Sequence, residues 1–412
     1  MLEFGVAIVQ SATAPLADMR FLKMGGLTGG ALLAVLLLSA VCIEALHRQG
    51  AEVDAAAAKA TLVYIGTYTG TTSRGIYAFR LQSAGSDVFQ NVTLVPLGLG
   101  AETPNPSFLE LDVKRRLLFA VNEIDQFEGK QSGAVSAYSI DAAGTLTLLN
   151  QRPSMGTRPC HLTVDTESRH LLVANCGSAS IAVLPIGGDG RLGEATGVVP
   201  HAGQSISLDP AGRFAFACDP GSDKVSRYSF DAQRGTFGPG DPASIPLTAG
   251  AGPRLMTFRP DGRFAYLLNE RNSTITAFAY DATAGRLSEM QTVSTLPEYF
   301  DGANVAGELR IHRSGKWLYV SNSGHNSVVL FTIDAGTGAL KYVEEQGTGG
   351  RNPRYFGIEP SSKHLAISNR DSDTVLASRV DEGNGRLKPS GIFAAVASPA
   401  SIRFLPPAES GR

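Results

Sequence analysis

His161, Arg254, Glu308 and Arg354 stand at the edges of apolar runs, where a charged or titratable side chain is held in place yet reaches water. Arg254 opens the run PRLMTF, and the next apolar run ends on Asn269-Glu270, 16 residues after it. Arginine holds carboxylate or phosphate through paired N–H donors. Imidazole is the side chain whose ordinary pKa lies near neutrality. Two arginines, a glutamate and a histidine converging on one opening would suit an anionic small molecule. An ion-pair network that merely closes a channel would use the same residue types.

The chain positions these residues by repetition. PRLMTFRPDGRFAYLLN (253–269) aligns with PCHLTVDTESRHLLVAN (159–175), GQSISLDPAGRFAFACD (203–219) and PRYFGIEPSSKHLAISN (353–369). NPSFLELDVKRRLLFAVN (105–122) and AGELRIHRSGKWLYVSN (306–322) complete a set of six. In each copy ten residues separate the end of the first apolar strand from the closing Asn or Asp. A Gly-x-Leu or Gly-x-Phe turn follows at Gly190, Gly235, Gly285, Gly338 and Gly385, and at Gly144 after an insert at 125–133. A unit of four short strands repeating every 44 to 53 residues is the mark of propeller blades. ATLVYIGTYTGTTSRGIYAFRL begins a unit without its first strand, and SPASIRFLPP near the C-terminus supplies one. The expected fold is therefore all-β: a seven-bladed propeller over residues 61–406, closed by strands from both termini so that no sheet edge is left open. Residues 407–412 form a tail.

In such a ring the first strand of each blade lines the central channel, and its start meets the end of the second strand at one mouth. Reading those positions blade by blade predicts a ring of Ser107-Phe108, Cys160-His161, Gln204-Ser205, Arg254-Leu255, Gly307-Glu308, Arg354-Tyr355 and Ala400-Ser401. The second-strand ends add Asn122-Glu123, Asn175, Asp219, Asn269-Glu270, Asn322 and Asn369-Arg370. The recurring Asn or Asp is read first as a cap on the turn after the strand; Asn122 and Asn322 are also carried as candidate binding groups.

Outside the repeat, Arg20 and Lys23 precede 19 uncharged residues from Gly25 to Ile43, the layout of a secretory signal or a signal anchor. Residues 1–60 are read as this apolar leader helix plus linker, with A-x-A cleavage sites in VDAAAAKA, so that the protein is exported, periplasmic or anchored facing the periplasm. Membrane contact is expected through the leader alone, and a monomer is expected. The 36 basic and 38 acidic residues form no basic run, which argues against a nucleic-acid partner. Cys160, Cys176 and Cys218 leave an odd thiol in the body and are read as small buried residues. Their spacing, and the scatter of the seven histidines, matches no zinc pattern, so neither metal nor other cofactor is expected.

YIGTYTGTTSRGIYAFRL, CHLTVD, LLVANCGSASIAVLPIGGDGRLG, GAGPRLMTFRPDGRFAYLLNE and SNSGHNSVVLFTID closely resemble the seven-bladed lactonase family, whose best-known activity is 6-phosphogluconolactonase. The resemblance covers nearly all of 61–406 and implies a small-molecule lactone as substrate. Arg254, Glu270 and Glu308 match the family's polar positions, whereas Gln204, Leu255 and Ser323 stand where the family carries His, His and Arg. As a lactonase the chain would need a base to activate water and donors for the tetrahedral oxyanion. His161 is the expected base with His201 as the alternative, and Glu308 or Glu270 would orient the imidazole or replace it. Arg254 and Arg354 would hold an anionic group, with Asn122, Glu123, Gln204 and Asn322 around it. No G-x-S-x-G elbow is present, so an acyl-enzyme is not indicated. The alternative is a non-catalytic propeller that binds a ligand or protein partner, for which a funnel plugged by Phe108, Leu255 and Tyr355 would speak.

Overall fold

The computed structural model describes residues 60–84, 91–200 and 203–407. The apolar leader and the candidate base His201 lie outside the described residues, as do 408–412 of the tail. Seven four-stranded antiparallel sheets follow one another around a ring. Blade 1 combines the C-terminal strand Pro399–Leu405 with Thr61–Thr67, Gly75–Ala84 and Asn91–Glu102. Leu62 pairs with Leu405 and Gly66 with Ser401, so the two ends of the chain share one sheet, as the repeat predicts. The innermost strands of blades 2 to 7 are Leu109–Asp112, Pro159–Val164, Ser205–Leu208, Pro253–Phe258, Val305–Ile311 and Pro353–Ile358.

The second strands carry the core. Leu117–Asn122, His170–Asn175, Phe264–Asn269 and His364–Asn369 are buried at every position. Each is covered by a neighbouring blade on both faces, so the sequence runs apolar (LLFAVN, HLLVAN, FAYLLN) instead of alternating. The outermost strands face water, and Arg286–Ser294 is exposed at every second residue or more.

The recurrent glycine turn sets blade spacing. Gly144, Gly190, Gly235, Gly285, Gly338 and Gly385 all have φ between 64° and 96°. A Cβ on any of them would overlap the start of the preceding blade's second strand: Leu62, Leu117, His170, Phe214, Phe264 and Trp317 in turn. The same turns accept hydrogen bonds from buried tyrosines of the preceding blade, Tyr64 to Gly144 O at 2.9 Å, Tyr266 to Gly338 O at 2.9 Å and Tyr319 to Gly385 O at 2.6 Å. The recurrent Asn ties the blades at the mouth. Asn122 Nδ2 donates to Thr103 Oγ1 and Pro104 O, Asn175 to Ser154 O, Asn322 to Thr295 O and Asn369 to Thr348 O. Each bond reaches the segment that leads in from the preceding blade.

Gly338→Ala forces a side chain into both a positive φ and the Phe264 ring. We expect a loss of about 2 kcal/mol, read as a lowered denaturation midpoint. Gly188→Ala, where a Cβ meets nothing within 4 Å, should change stability by less than about 0.5 kcal/mol.

Candidate active site

An irregularity recurs at the mouth of the channel. Pairing of the inner strand slips between Pro159 and His161, Pro253 and Leu255, Ala306 and Leu309, and Pro353 and Tyr355. A β-bulge re-aims the extra side chain, and here it turns Cys160, Arg254, Gly307 and Arg354 toward the opening. The backbone N–H of Glu123, Cys176, Glu270 and Arg370 donates to the carbonyl of Asn105, Arg158, Gly252 and Asn352. Each bond sets the residue after the second strand beside the bulged one, 16 positions away. The mouth is therefore a ring of cross-strand pairs: Ala400–Tyr68, Ser107–Glu123, Cys160–Cys176, Gln204–Pro220, Arg254–Glu270, Gly307–Ser323 and Arg354–Arg370.

These pairs rim a funnel holding about 570 Å³ of empty space, open to solvent on one side. Glu123, His161, Gln204, Arg254, Glu308 and Arg354 all line it, together with Ser107, Phe108, Leu255, Gly307 and Tyr355. Glu270 stands directly behind Arg254. Two candidates fall elsewhere: Asn122 and Asn322 are fully buried in the blade-to-blade bonds described above, where Asn122 donates both carboxamide N–H groups and Asn322 donates one while its Oδ1 accepts from Asn304 Nδ2. They bond the preceding blade's lead-in segment and not the turn after their own strand, and neither lines the funnel.

Arg254 is already neutralised. Its Nη1 donates to Glu270 Oε2 at 2.6 Å and its Nε to Gly307 O at 2.5 Å. Arg354 differs: among the described residues it has no ion-pair partner, and burial together with Arg254 and Arg370 holds its pKa below the ordinary arginine value. Arg354 and Arg370 both lie over the Tyr68 ring, 5.3 and 4.5 Å from its centroid. The Tyr68 hydroxyl donates to Glu123 Oε2 at 2.9 Å, and Ser107 Oγ donates to the same oxygen at 2.5 Å. Two guanidiniums on one aromatic platform form an anion-binding arrangement.

The funnel floor holds His161 and Glu308. Burial, with Arg403, Arg310 and Arg254 nearby, pushes the His161 imidazole down to about 3, so it is neutral throughout the physiological range. Its Nδ1 faces the Ile206 N–H at 3.5 Å, which leaves Nε2 as the N–H of the ring. A neutral imidazole carries one N–H donor and one acceptor nitrogen. Glu308 is 3% exposed. Burial pushes its carboxyl above the usual range, while Arg310, Arg403, the Leu309 N–H and Arg254 pull it back. Oε1 takes the Leu309 N–H at 3.2 Å and lies 3.1 Å from Arg310 Nε. Below them Phe108, Tyr355 and Arg403 close the channel: Arg403 lies 4.8 Å over Phe108 and 4.9 Å over Tyr355, and Phe108 contacts the His161 ring at 4.5 Å. Of the apolar plug considered from the sequence, Phe108 and Tyr355 belong to this floor, and Leu255 lines the funnel with them. Among the described residues no cluster of three His, Cys, Asp or Glu side chains is placed to hold a metal ion.

Tyr68, Arg310, Arg370 and Arg403 were not among the sequence candidates for chemistry. Tyr68 follows Thr61–Thr67, the second strand of blade 1, and so stands where Glu270 stands in blade 5. Arg310 lies two residues beyond Glu308 and Arg403 two beyond Ser401, the strand period that returns a side chain to the same face.

Comparison with known proteins agrees with this architecture. Residues 62–404 match the family described as Lactonase, 7-bladed beta-propeller. The chain belongs to the seven-bladed β-propeller lactonase family. A 6-phosphogluconolactonase of Bacillus subtilis (strain 168) is 31% identical over 315 residues, 73% of this chain and 86% of that protein. A 6-phosphogluconolactonase of Pectobacterium carotovorum is 30% identical over 233 residues, 56% and 69% of the two chains. Among solved structures, the periplasmic gluconolactonase PpgL of Pseudomonas aeruginosa superposes with a TM-score of 0.77 at 31% identity, covering 84% of this chain and 99% of that one.

In this lactonase-family chain, Cys160 and Cys176 form a disulfide at the positions where blade 5 has Arg254–Glu270. Two of the three body cysteines are thus a covalent part of the funnel wall, while Cys218 is free and buried. The Gln204 carboxamide oxygen lies 3.4 Å from Cys176 Sγ. Closing so short a loop constrains the unfolded chain by up to about 3 kcal/mol. Cys160→Ser/Cys176→Ser should lose that order of stability and become insensitive to reductant, whereas wild type should shift to the same midpoint on reduction; denaturant titrations with and without dithiothreitol read both.

Proposed function

We propose that this protein is an exported lactonase that opens a small sugar-derived or anionic lactone at the floor of the funnel. The observation that carries the reading is Glu308: a buried carboxylate with a raised pKa, lining the same funnel as the neutral imidazole of His161 and the Arg354 guanidinium. A carboxylate more basic than usual is a competent general base near neutral pH. Glu308 takes a proton from water as the oxygen adds to the lactone carbonyl. The His161 N–H and the Arg354 guanidinium stabilise the resulting oxyanion. Collapse breaks the ring C–O bond, and the proton on Glu308 passes to the departing ring oxygen, which leaves a hydroxy acid.

An anionic group on the substrate would be taken by Arg354 and Arg370 on the Tyr68 platform. Arg254, tied to Glu270, sets the wall. The names of the relatives, 6-phosphogluconolactonase and periplasmic gluconolactonase, support phosphorylated and unphosphorylated aldonolactones as the substrates to test. Export is supported by the leader sequence, by the Cys160–Cys176 disulfide, a bond that persists in oxidising compartments, and by the periplasmic neighbour.

The test is hydrolysis of gluconolactone and 6-phosphogluconolactone, with spontaneous opening subtracted. Glu308→Gln is expected to lower kcat by about 10²-fold or more. Wild-type and Glu308→Gln rates that coincide at background on both lactones would favour the non-catalytic binding propeller. Arg354→Gln is expected to raise KM for the phosphorylated lactone about tenfold or more.

The pH dependence carries a sign. Glu308 must be deprotonated to act, so kcat/KM should fall as pH drops through its raised pKa and stay level above it. His161, already neutral down to about 3, should add no inflection near neutrality. A limb near neutral pH that vanishes in His161→Gln would return the role of base to the histidine.

A further inference from the structure

The seven cross-strand pairs at the mouth are unequal in bulk. Cys160–Cys176, Arg254–Glu270 and Ser107–Glu123 are each joined by a bond, and Arg354–Arg370 fills its position with two long side chains. Blade 6 has Gly307 and Ser323, the smallest pair of the ring. Beside this gap a groove leaves the funnel and runs between blades 6 and 7. It encloses about 900 Å³ of empty space, part of it open to solvent. Arg254, Gly307 and Arg354 line both spaces, so the groove and the funnel adjoin at the Gly307 position.

The groove has one apolar side chain, Val305. The rest of its lining is Ser323, Asn326, Arg351, Asn352, Asp371 and glycine, beside the two shared arginines. Its polar groups are pre-set by one another: Asn352 N–H donates to Asn326 Oδ1 at 2.9 Å, Asn352 Nδ2 to Asp371 Oδ2 at 3.1 Å, and Arg351 Nη2 to Asp371 O at 3.0 Å. Among the described residues the Ser323 hydroxyl has no hydrogen-bond partner. His325, between Gly324 and Asn326, packs against Tyr299, whose ring is 73% exposed and whose hydroxyl donates to Glu345 at 2.8 Å. Alternating hydroxyl, carboxamide, carboxylate and guanidinium groups match the closely spaced donors and acceptors of a polyol.

We propose that the Gly307–Ser323 gap makes the groove a subsite for a glycosyl substituent, so that the substrate is an aldonolactone carrying a second sugar. The inference rests on the lactonase reading above and deepens it by naming the substrate class. The lactone ring sits in the funnel beside Glu308 and His161, and the attached sugar lies across Ser323 toward Asn326, Asn352 and Asp371. Contacts to the remote sugar contribute binding energy that the reacting centre can use.

The experiment compares cellobionolactone with gluconolactone, in wild type, in Ser323→Trp, which fills the gap, and in Asp371→Asn, which alters the far wall without adding bulk. Calorimetric titration with the two product aldonates reads occupancy of the groove independently of turnover. The expected result is a kcat/KM ratio favouring cellobionolactone by about tenfold, with a correspondingly tighter cellobionate. Ser323→Trp should bring both ratios close to one, and Asp371→Asn should lower them through KM. Gluconolactone turnover in each variant reports that the funnel is still assembled. A wild-type ratio of one or below in both turnover and binding, unmoved by Ser323→Trp, overturns the groove as a subsite and leaves the lactonase reading standing. Absence of turnover on both lactones, with cellobionate still bound more tightly than gluconate and the preference lost in Ser323→Trp, keeps the groove and overturns the lactonase reading.

Discussion

Everything in this ring depends on how closely one blade can approach the next. The second strands are buried on both faces, so each blade needs its neighbours to complete its own core. The contact is set by a glycine turn lying on the first residues of the preceding blade's second strand, whether Leu117, Phe264 or Trp317. A glycine there lets the backbone itself act as the packing surface, and the tyrosines at 64, 266 and 319 lock that surface through its carbonyl. Because this joint repeats from blade to blade, the ring has little freedom to adapt to a ligand by shifting blades. Variation is confined to side chains that the joint does not use.

Those side chains are the bulged residue of the inner strand and its partner after the second strand. The scaffold holds every such pair in nearly the same geometry, yet fills it with different chemistry: a hydrogen bond in blade 2, a disulfide in blade 3, an ion pair in blade 5, a gap in blade 6 and two like charges in blade 7. Bonded pairs are rigid and largely self-satisfied, so they shape the wall without binding much. The unsatisfied or missing pairs gather in the sector from blade 6 to blade 1. Glu308 belongs to that sector too, since it follows the small Gly307 and points from the same bulge to the floor.

The fold was legible because the repeat is strict: the strand-turn-strand spacing that ends on Asn122, Asn175 or Asn322 recurs in six copies, and the missing strand appears at the other end of the chain. The ring of inward positions was legible for the same reason, and most of the residues read at those positions line the funnel. What the residues do to one another was not. Arg254 looked like an anion clamp, but a carboxylate 16 residues on already holds it, and a ring of recurring offsets does not say which pairs touch. Tyr68 escaped notice because blade 1 is assembled from both termini, so its pair, Ala400–Tyr68, has no local spacing to read. The acidity of His161 comes from burial under Phe108 and three arginines from other blades, a sum over tertiary neighbours that no local motif records.

The Arg354–Arg370 pair shows most clearly where structure yields to function. Like charges facing each other across a strand pair destabilise a sheet, and here one of them has lost hydration without gaining a carboxylate. The Tyr68 ring offsets part of that cost, since a guanidinium over an aromatic face is worth about 0.5–2 kcal/mol. Glu123 does not neutralise Arg354 directly; it fixes the phenol on which both guanidiniums rest. The blade 5 solution, one arginine and one glutamate, was available to the same scaffold at the same geometry and would have removed the strain. The mouth thus keeps two cations at one position although a relaxed arrangement of the same geometry is present two blades away.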